Sequence, residues 1–188
     1  AIMYDPEHTR AFYDKYDTLE WDRLETTGYG RLQAIIHTDF MKRFVKPGDR
    51  VLDAGSGPGR FSIVAAELGA TVTVLDLSDR QLQSARERIA EAGLSGQIEE
   101  FVQQDISDLS NLPEGSFDVV ICYGGALSYV CERRAETAEG LTRLLRSGGI
   151  VLLSVMSRFS TITDIVRRAD LPVLKDPEGW HVWRVVQE

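Results

Sequence analysis

The sequence predicts an α/β protein built on a doubly wound, mostly parallel sheet with strand order 3-2-1-4-5. Three observations carry that expectation. Short apolar runs ending near 52, 75, 102, 122 and 155 alternate with longer stretches of helical periodicity. The run Phe117-Asp118-Val119-Val120-Ile121-Cys122 is almost continuously apolar, as a central parallel strand covered on both faces requires. Glycines at 55, 57 and 59 fall between the first run and the helix after it, where the backbone must turn sharply and approach whatever lies above.

Taken in order, Asp5-Pro6 supplies an N-cap and a first helical residue, and the helix it opens carries Phe12, Tyr13 and Tyr16 before Trp21. These aromatics have two readings, a stripe packed on the domain or a lid over a ligand mouth. A second helix is expected from about Gly30 to Phe44, with Leu32, Ile35, Ile36, Phe40 and Phe44 laid on the sheet and His37 off that stripe, near a rim. Val51-Leu52 ends the first strand, Phe61 to Leu68 forms the first crossover helix, and Gly69 stops it. Thr71 to Leu75 is the second strand, tipped by Asp76. The next helix, Ser78 to Glu91, buries Leu82, Ala85 and Ile89. The third strand, Ile98 to Val102, leads into Asp105-Ile106, and Phe117 to Cys122 is the fourth. A helix from about Glu132 to Leu145 precedes a fifth strand, Ile150 to Val155.

Beyond it a short helix (Thr161 to Ala169) and one strand (Val182 to Val186) are expected. The chain reads as a single domain, 1–188, in which 1–45 is a helical cap.

The strand, glycine turn and helix at 51–68 place the amide groups and positive dipole end of a helix start beside a ligand. Dinucleotide loops place a third glycine where this chain has Arg60, so the spacing here is G-x-G-x-G. Asp53, directly before the loop, repels a pyrophosphate and suits an ammonium or sulfonium. Asp76, 21 residues beyond Gly55, is placed to accept both hydroxyls of a ribose.

The string V-L-D-x-G-x-G-x-G resembles the first motif of the class I S-adenosylmethionine (SAM)-dependent methyltransferases. F-D-V-V and the Gly148-Gly149 turn before the last strand resemble later motifs of that family, and Phe12-Tyr13-Asp14-Lys15-Tyr16-Asp17 loosely resembles its N-terminal lid. The resemblance covers about 110 residues and implies a Rossmann-like fold with SAM as cofactor. It implies that Asp105 accepts the adenine amine beside the Ile106 amide, and that Cys122 or Tyr123 offers a carbonyl to the amino group. The cofactor set so implied is Asp53, Gly55, Ser56, Gly57, Gly59, Asp76, Leu77, Asp105, Ile106, Cys122 and Tyr16. No catalytic residue follows; Tyr123, Tyr129 and His37 are the candidates if the acceptor must lose a proton. The family's sheet has a sixth and a seventh strand, and the tail is roughly 50 residues short of supplying them at ~30 residues per βα unit. The C-terminal part is therefore expected to be truncated, or Val182 to Val186 caps the sheet edge and a homodimer covers the rest.

Composition narrows the partners. With 29 acidic against 21 basic residues the net charge is −8, which disfavours a nucleic-acid substrate, and no apolar run approaches the ~20 residues of a membrane span. No secretory leader is recognisable, and Cys122 and Cys131 read as reduced cytoplasmic thiols with no metal set around them. A small-molecule methyl acceptor is the main expectation. A non-catalytic SAM-binding or regulatory protein shares every cofactor residue and stays open, as does an NAD-dependent dehydrogenase, which shares Asp76 and the glycine loop.

Overall fold

The computed structural model describes residues 3–16 and 19–157. The helix and strand expected after residue 160 lie outside them. Helices α1 (Pro6–Tyr16), α2 (Leu19–Arg23) and α3 (Gly28–Phe44) precede a parallel five-stranded sheet. Its strands are β1 (Arg50–Ala54), β2 (Thr71–Asp76), β3 (Ile98–Gln103), β4 (Phe117–Cys122) and β5 (Leu145–Leu153), in the order β3-β2-β1-β4-β5. Helices α4 (Arg60–Glu67), α5 (Asp79–Glu91), α6 (Ala126–Tyr129) and α7 (Arg134–Arg143) connect them. The reversal of winding falls between β1 and β4, the place where such sheets open a crevice at the carboxyl ends of their strands.

Alternation along β1 divides the interior. Val51 joins Val72, Val74, Ile121 and the inner faces of α3, α4 and α5, whereas Leu52 and Ala54 join Leu75, Val120, Leu141 and Leu144 on the other face. Each strand thus feeds two cores, which explains the near-continuous apolar runs.

Helix α3 departs from expectation. Leu32, Ile35, Ile36 and Phe40 are 42–57% exposed, and the face turned inward carries Gly30, Ala34, His37 and Met41. These four recur at 0, 4, 7 and 11, so two apolar stripes share one helix. The smaller one packs because Gly30 meets the Arg23 carbonyl at the end of α2 too closely for any side chain. His37 accordingly leaves the rim and stacks on Tyr123, 4.2 Å between ring centroids, with Phe61 edge-on at 5.4 Å. The fifth strand begins at Leu145 rather than 150, because a register shift between Phe117 and Val119 lets its first residues pair early. The helix before it is correspondingly short, and a 3-10 turn at Cys131–Arg133 precedes it.

Candidate functional site

The crevice is lined by the β1–α4 glycine loop, the tips of β2 and β4, and the turn after β3, and is covered by the N-terminal segment. Gly55, Gly57, Asp76, Leu77, Asp105 and Ile106, all singled out in the sequence, line it together. Gly57 and Gly59 hold positive φ, and a Cβ on Gly55 would come within 2.7 Å of Ala126 Cβ.

The amides of the loop are used differently from expectation. Gly55 and Ser56 N–H both donate to the Leu75 carbonyl (2.8 and 3.0 Å), Gly59 N–H donates to Ser56 O (3.1 Å), and Gly57 N–H donates to Asp76 Oδ2 (2.8 Å). These amides, which precede α4, are therefore answered from within, by the tip of β2 and by Ser56, rather than turned toward a ligand anion. Asp76 Oδ1 accepts Ser78 N–H at 2.9 Å, so each carboxylate oxygen spends one lone pair on the backbone and keeps another for the crevice. Burial pushes Asp76 up to about 6, against the pull of those two amides.

The remaining sequence-derived residues take other places. Asp53 lies beneath the loop, where its carboxylate accepts Ser62 Oγ–H at 2.6 Å and burial pushes it up to about 7. Gly59 packs on Ala85 of α5. Ser56 is buried, its Oγ–H donating to the Gly57 carbonyl (3.3 Å). The Cys122 carbonyl accepts Ser154 N–H (3.1 Å) and its thiol is buried, so Tyr123, the next residue, reaches the crevice instead. Tyr16 faces a second cavity. Among the proton-acceptor candidates only Tyr129 faces both spaces; His37 and the Tyr123 ring are engaged with each other, and burial raises both tyrosines.

Tyr4, Thr9 and Glu20 had no local signal, whereas Tyr13 belongs to the aromatic string read as a stripe or a lid. Tyr4 donates its hydroxyl to Asp105 Oδ2 (2.9 Å) while its amide donates to the Glu132 carboxylate (2.8 and 2.9 Å). Tyr13 and Thr9 of α1 roof the crevice, with the Tyr13 carbonyl accepting Gln81 Nε2–H and Asp14 accepting Ser78 Oγ–H. Glu20 of α2 stands over the loop, its Cγ 3.6 Å from where a Gly57 Cβ would be, and pairs with Arg23. Trp21 is held between the guanidinium groups of Arg60 (3.8 Å) and Arg88 (4.1 Å), and Arg60 also pairs with Glu25 at 2.8 Å. The arginine that replaces the third glycine of a dinucleotide loop thus clamps α2 over the site.

Under this roof the crevice encloses about 80 Å³, against ~300–1,000 Å³ for ordinary ligand sites. The lining carries the carboxylates of Asp76, Asp105 and Glu20 and, among the described residues, no lysine, arginine or histidine. Such a surface accepts hydrogen bonds and positive charge.

A family model described as a methyltransferase domain matches residues 51–149. Among similar curated proteins, a ribosomal-protein methyltransferase from Thermotoga neapolitana is 29% identical over 79% of this chain and 50% of its own. The ubiquinone biosynthesis O-methyltransferase of Xanthomonas campestris is 37% identical over 62% of this chain and 46% of its own. The chain spans half or less of the length of these relatives. Among solved structures, magnesium protoporphyrin IX methyltransferase from Synechocystis with bound SAM superposes with a TM-score of 0.64 at 25% identity, covering 77% of this chain and 74% of that one.

Proposed function

The chain belongs to the methyltransferase-domain family, and from that premise we propose that it transfers a methyl group from SAM to a small-molecule acceptor. The observation that carries the reading is that the charged side chains lining the crevice, Asp76, Asp105 and Glu20, are all carboxylates. A pyrophosphate needs cations or free amides, and here the loop amides are spent on Leu75, Asp76 and Ser56. A sulfonium-bearing nucleoside with two ribose hydroxyls and an exocyclic amine needs the opposite.

The residues fit that group. Asp76 would hold the ribose hydroxyls with its two remaining lone pairs, Asp105 the adenine amine, and Glu20 the positive end of the amino-acid tail. When bound, the cofactor would supply an electrophilic methyl to the acceptor's lone pair, with the C–S pair returning to sulfur and any proton on the acceptor lost as the site opens to release product. The chain's own part is to orient and to exclude water. Tyr4, Thr9 and Tyr13 close the crevice, and Gly124 leaves the tip of β4 bare where the acceptor approaches. Cys122 and Cys131, both buried and neither in a disulfide among the described residues, support a reducing, cytoplasmic setting. The exposed row of Leu32, Ile36 and Phe40 on α3, with Leu153 at the end of β5 and Val155 just beyond it, supports a homodimer.

Calorimetry tests the reading directly: SAM and S-adenosylhomocysteine should bind saturably and NAD should not, and tighter binding of NAD would overturn it. A second expectation concerns the roof. A Cβ at Gly30 would lie 2.0 Å from the Arg23 carbonyl oxygen, a backbone atom that yields only if α2 moves and takes Glu20 with it. Gly30→Ala should cost about 1–3 kcal/mol in urea unfolding and weaken SAM binding severalfold. Unchanged SAM affinity in this variant would show that α2 has no part in the site.

A further inference from the structure

The crevice continues past Gly124 into a second cavity of about 550 Å³. Tyr13, Glu20, Gly124 and Tyr129 line both spaces, so the two meet at the tip of β4. Five rings face this cavity: Phe12, Tyr13 and Tyr16 from α1, Tyr29 from α3 and Tyr129 from α6.

The rings form a connected surface. Phe12 and Tyr16 stack at 5.4 Å with planes 19° apart, and Tyr13 stands edge-on to Phe12 (5.2 Å), Tyr16 (6.4 Å) and Tyr129 (6.0 Å). The Tyr13 and Tyr129 phenols are hydrogen-bonded to each other, and burial raises both, so they stay neutral and add no charge. Tyr29 is 74% exposed, a large ring left at the mouth. Charge is cancelled inside. Among the described lining residues the ionic side chains are Glu20 and Arg23, and they answer one another: Arg23 Nε donates to both Glu20 oxygens (3.1 and 3.2 Å), while Nη1 donates to Gln33 Oε1 (3.1 Å).

Resting on the transferase reading above, we propose that this second cavity is the acceptor pocket and that it takes a planar aromatic molecule without net charge. Stacked and edge-on rings reward a flat π-system over an aliphatic one of equal size. An anionic or cationic acceptor would have to break the Glu20–Arg23 pair to find a partner, leaving the displaced charge uncompensated in a half-buried wall. The site is large enough for a two- or three-ring molecule.

The test uses the full chain saturated with S-adenosylhomocysteine, whose own affinity is measured first by calorimetry. Three probes follow: 2-naphthol, its saturated analogue decahydro-2-naphthol, and 6-hydroxy-2-naphthoate. 2-Naphthol should bind about tenfold more tightly than either of the others. Phe12→Leu and Tyr29→Leu should each weaken it about three- to tenfold, with the S-adenosylhomocysteine affinity kept within twofold. Equal affinity for the saturated analogue, preference for the carboxylate, or indifference to both substitutions would overturn the proposal while the cofactor reading stands. Failure of S-adenosylhomocysteine itself to bind would overturn the transferase reading, and the pocket assignment with it.

Discussion

Asp76→Ala should weaken SAM binding by about 10- to 100-fold, which corresponds to about 1.4–2.7 kcal/mol. The carboxylate carries four interactions at once. It accepts the Gly57 and Ser78 amides, at 2.8 and 2.9 Å, and its other two lone pairs are those assigned to the ribose. Removal therefore takes two charge-assisted acceptors from the ligand and also frees the Gly57 amide, so that the loop itself loses its anchor. pH separates these effects. Burial pushes the Asp76 pKa up to about 6, so SAM affinity should fall as pH drops through 6 and the carboxylate protonates. Stability runs the other way. The folded value lies above the ~3.9 of an unfolded Asp, so between those values the folded chain binds more protons than the unfolded one. The buried charge thus costs stability progressively as pH rises from about 4 to about 6. Asp76→Asn keeps the shape and should flatten the affinity profile. A titration in which wild type and Asn variant show the same pH dependence would assign the effect to another group.

How much of this was legible depends on how far apart the partners lie in the chain. The glycine loop, Asp76 and Asp105 follow strands whose apolar runs announce themselves, and right-handed βα succession then brings their tips to one edge. Helix α3 shows where periodicity fails: it carries two apolar stripes, and a clash at Gly30 with the Arg23 carbonyl, invisible in any local pattern, decides which is buried. The use of the loop amides was equally hidden, since it depends on the loop after β1 lying against the tip of the neighbouring β2, where Leu75 and Asp76 meet Gly55, Ser56 and Gly57. Cys122 and Tyr123 differ by one residue, and only the Ser154 amide, donated from just past the end of β5, says which carbonyl is spent. Tyr4 meets Asp105 across 101 positions, and Trp21 meets Arg60 and Arg88 across the whole first half of the domain. Nothing in a window of ten residues encodes such pairings.

Gly59→Ala should cost about 2–5 kcal/mol of stability, whereas Gly57→Ala should cost about 1–2 kcal/mol and still be the worse change for SAM binding. Both residues sit at positive φ, +81° and +52°, where an L residue carries about 1–2 kcal/mol of strain. Their surroundings differ. A Cβ at Gly59 would lie 2.9 Å from Ala85 Cβ and 3.3 Å from Ala85 Cα, so α5 must shift away from a fully buried contact, an overpacking cost of about 1–3 kcal/mol. At Gly57 the nearest heavy atom is Glu20 Cγ at 3.6 Å, an ordinary contact with a flexible side chain. Gly57 lines the crevice, however, so its methyl projects into the space where the ligand lies, while Gly59 faces the core. Denaturant unfolding and SAM calorimetry on the two variants should therefore rank them in opposite orders. One ranking shared by both measurements would mean that the loop acts as a single stiff unit in which holding the fold and holding the ligand are not divided between glycines.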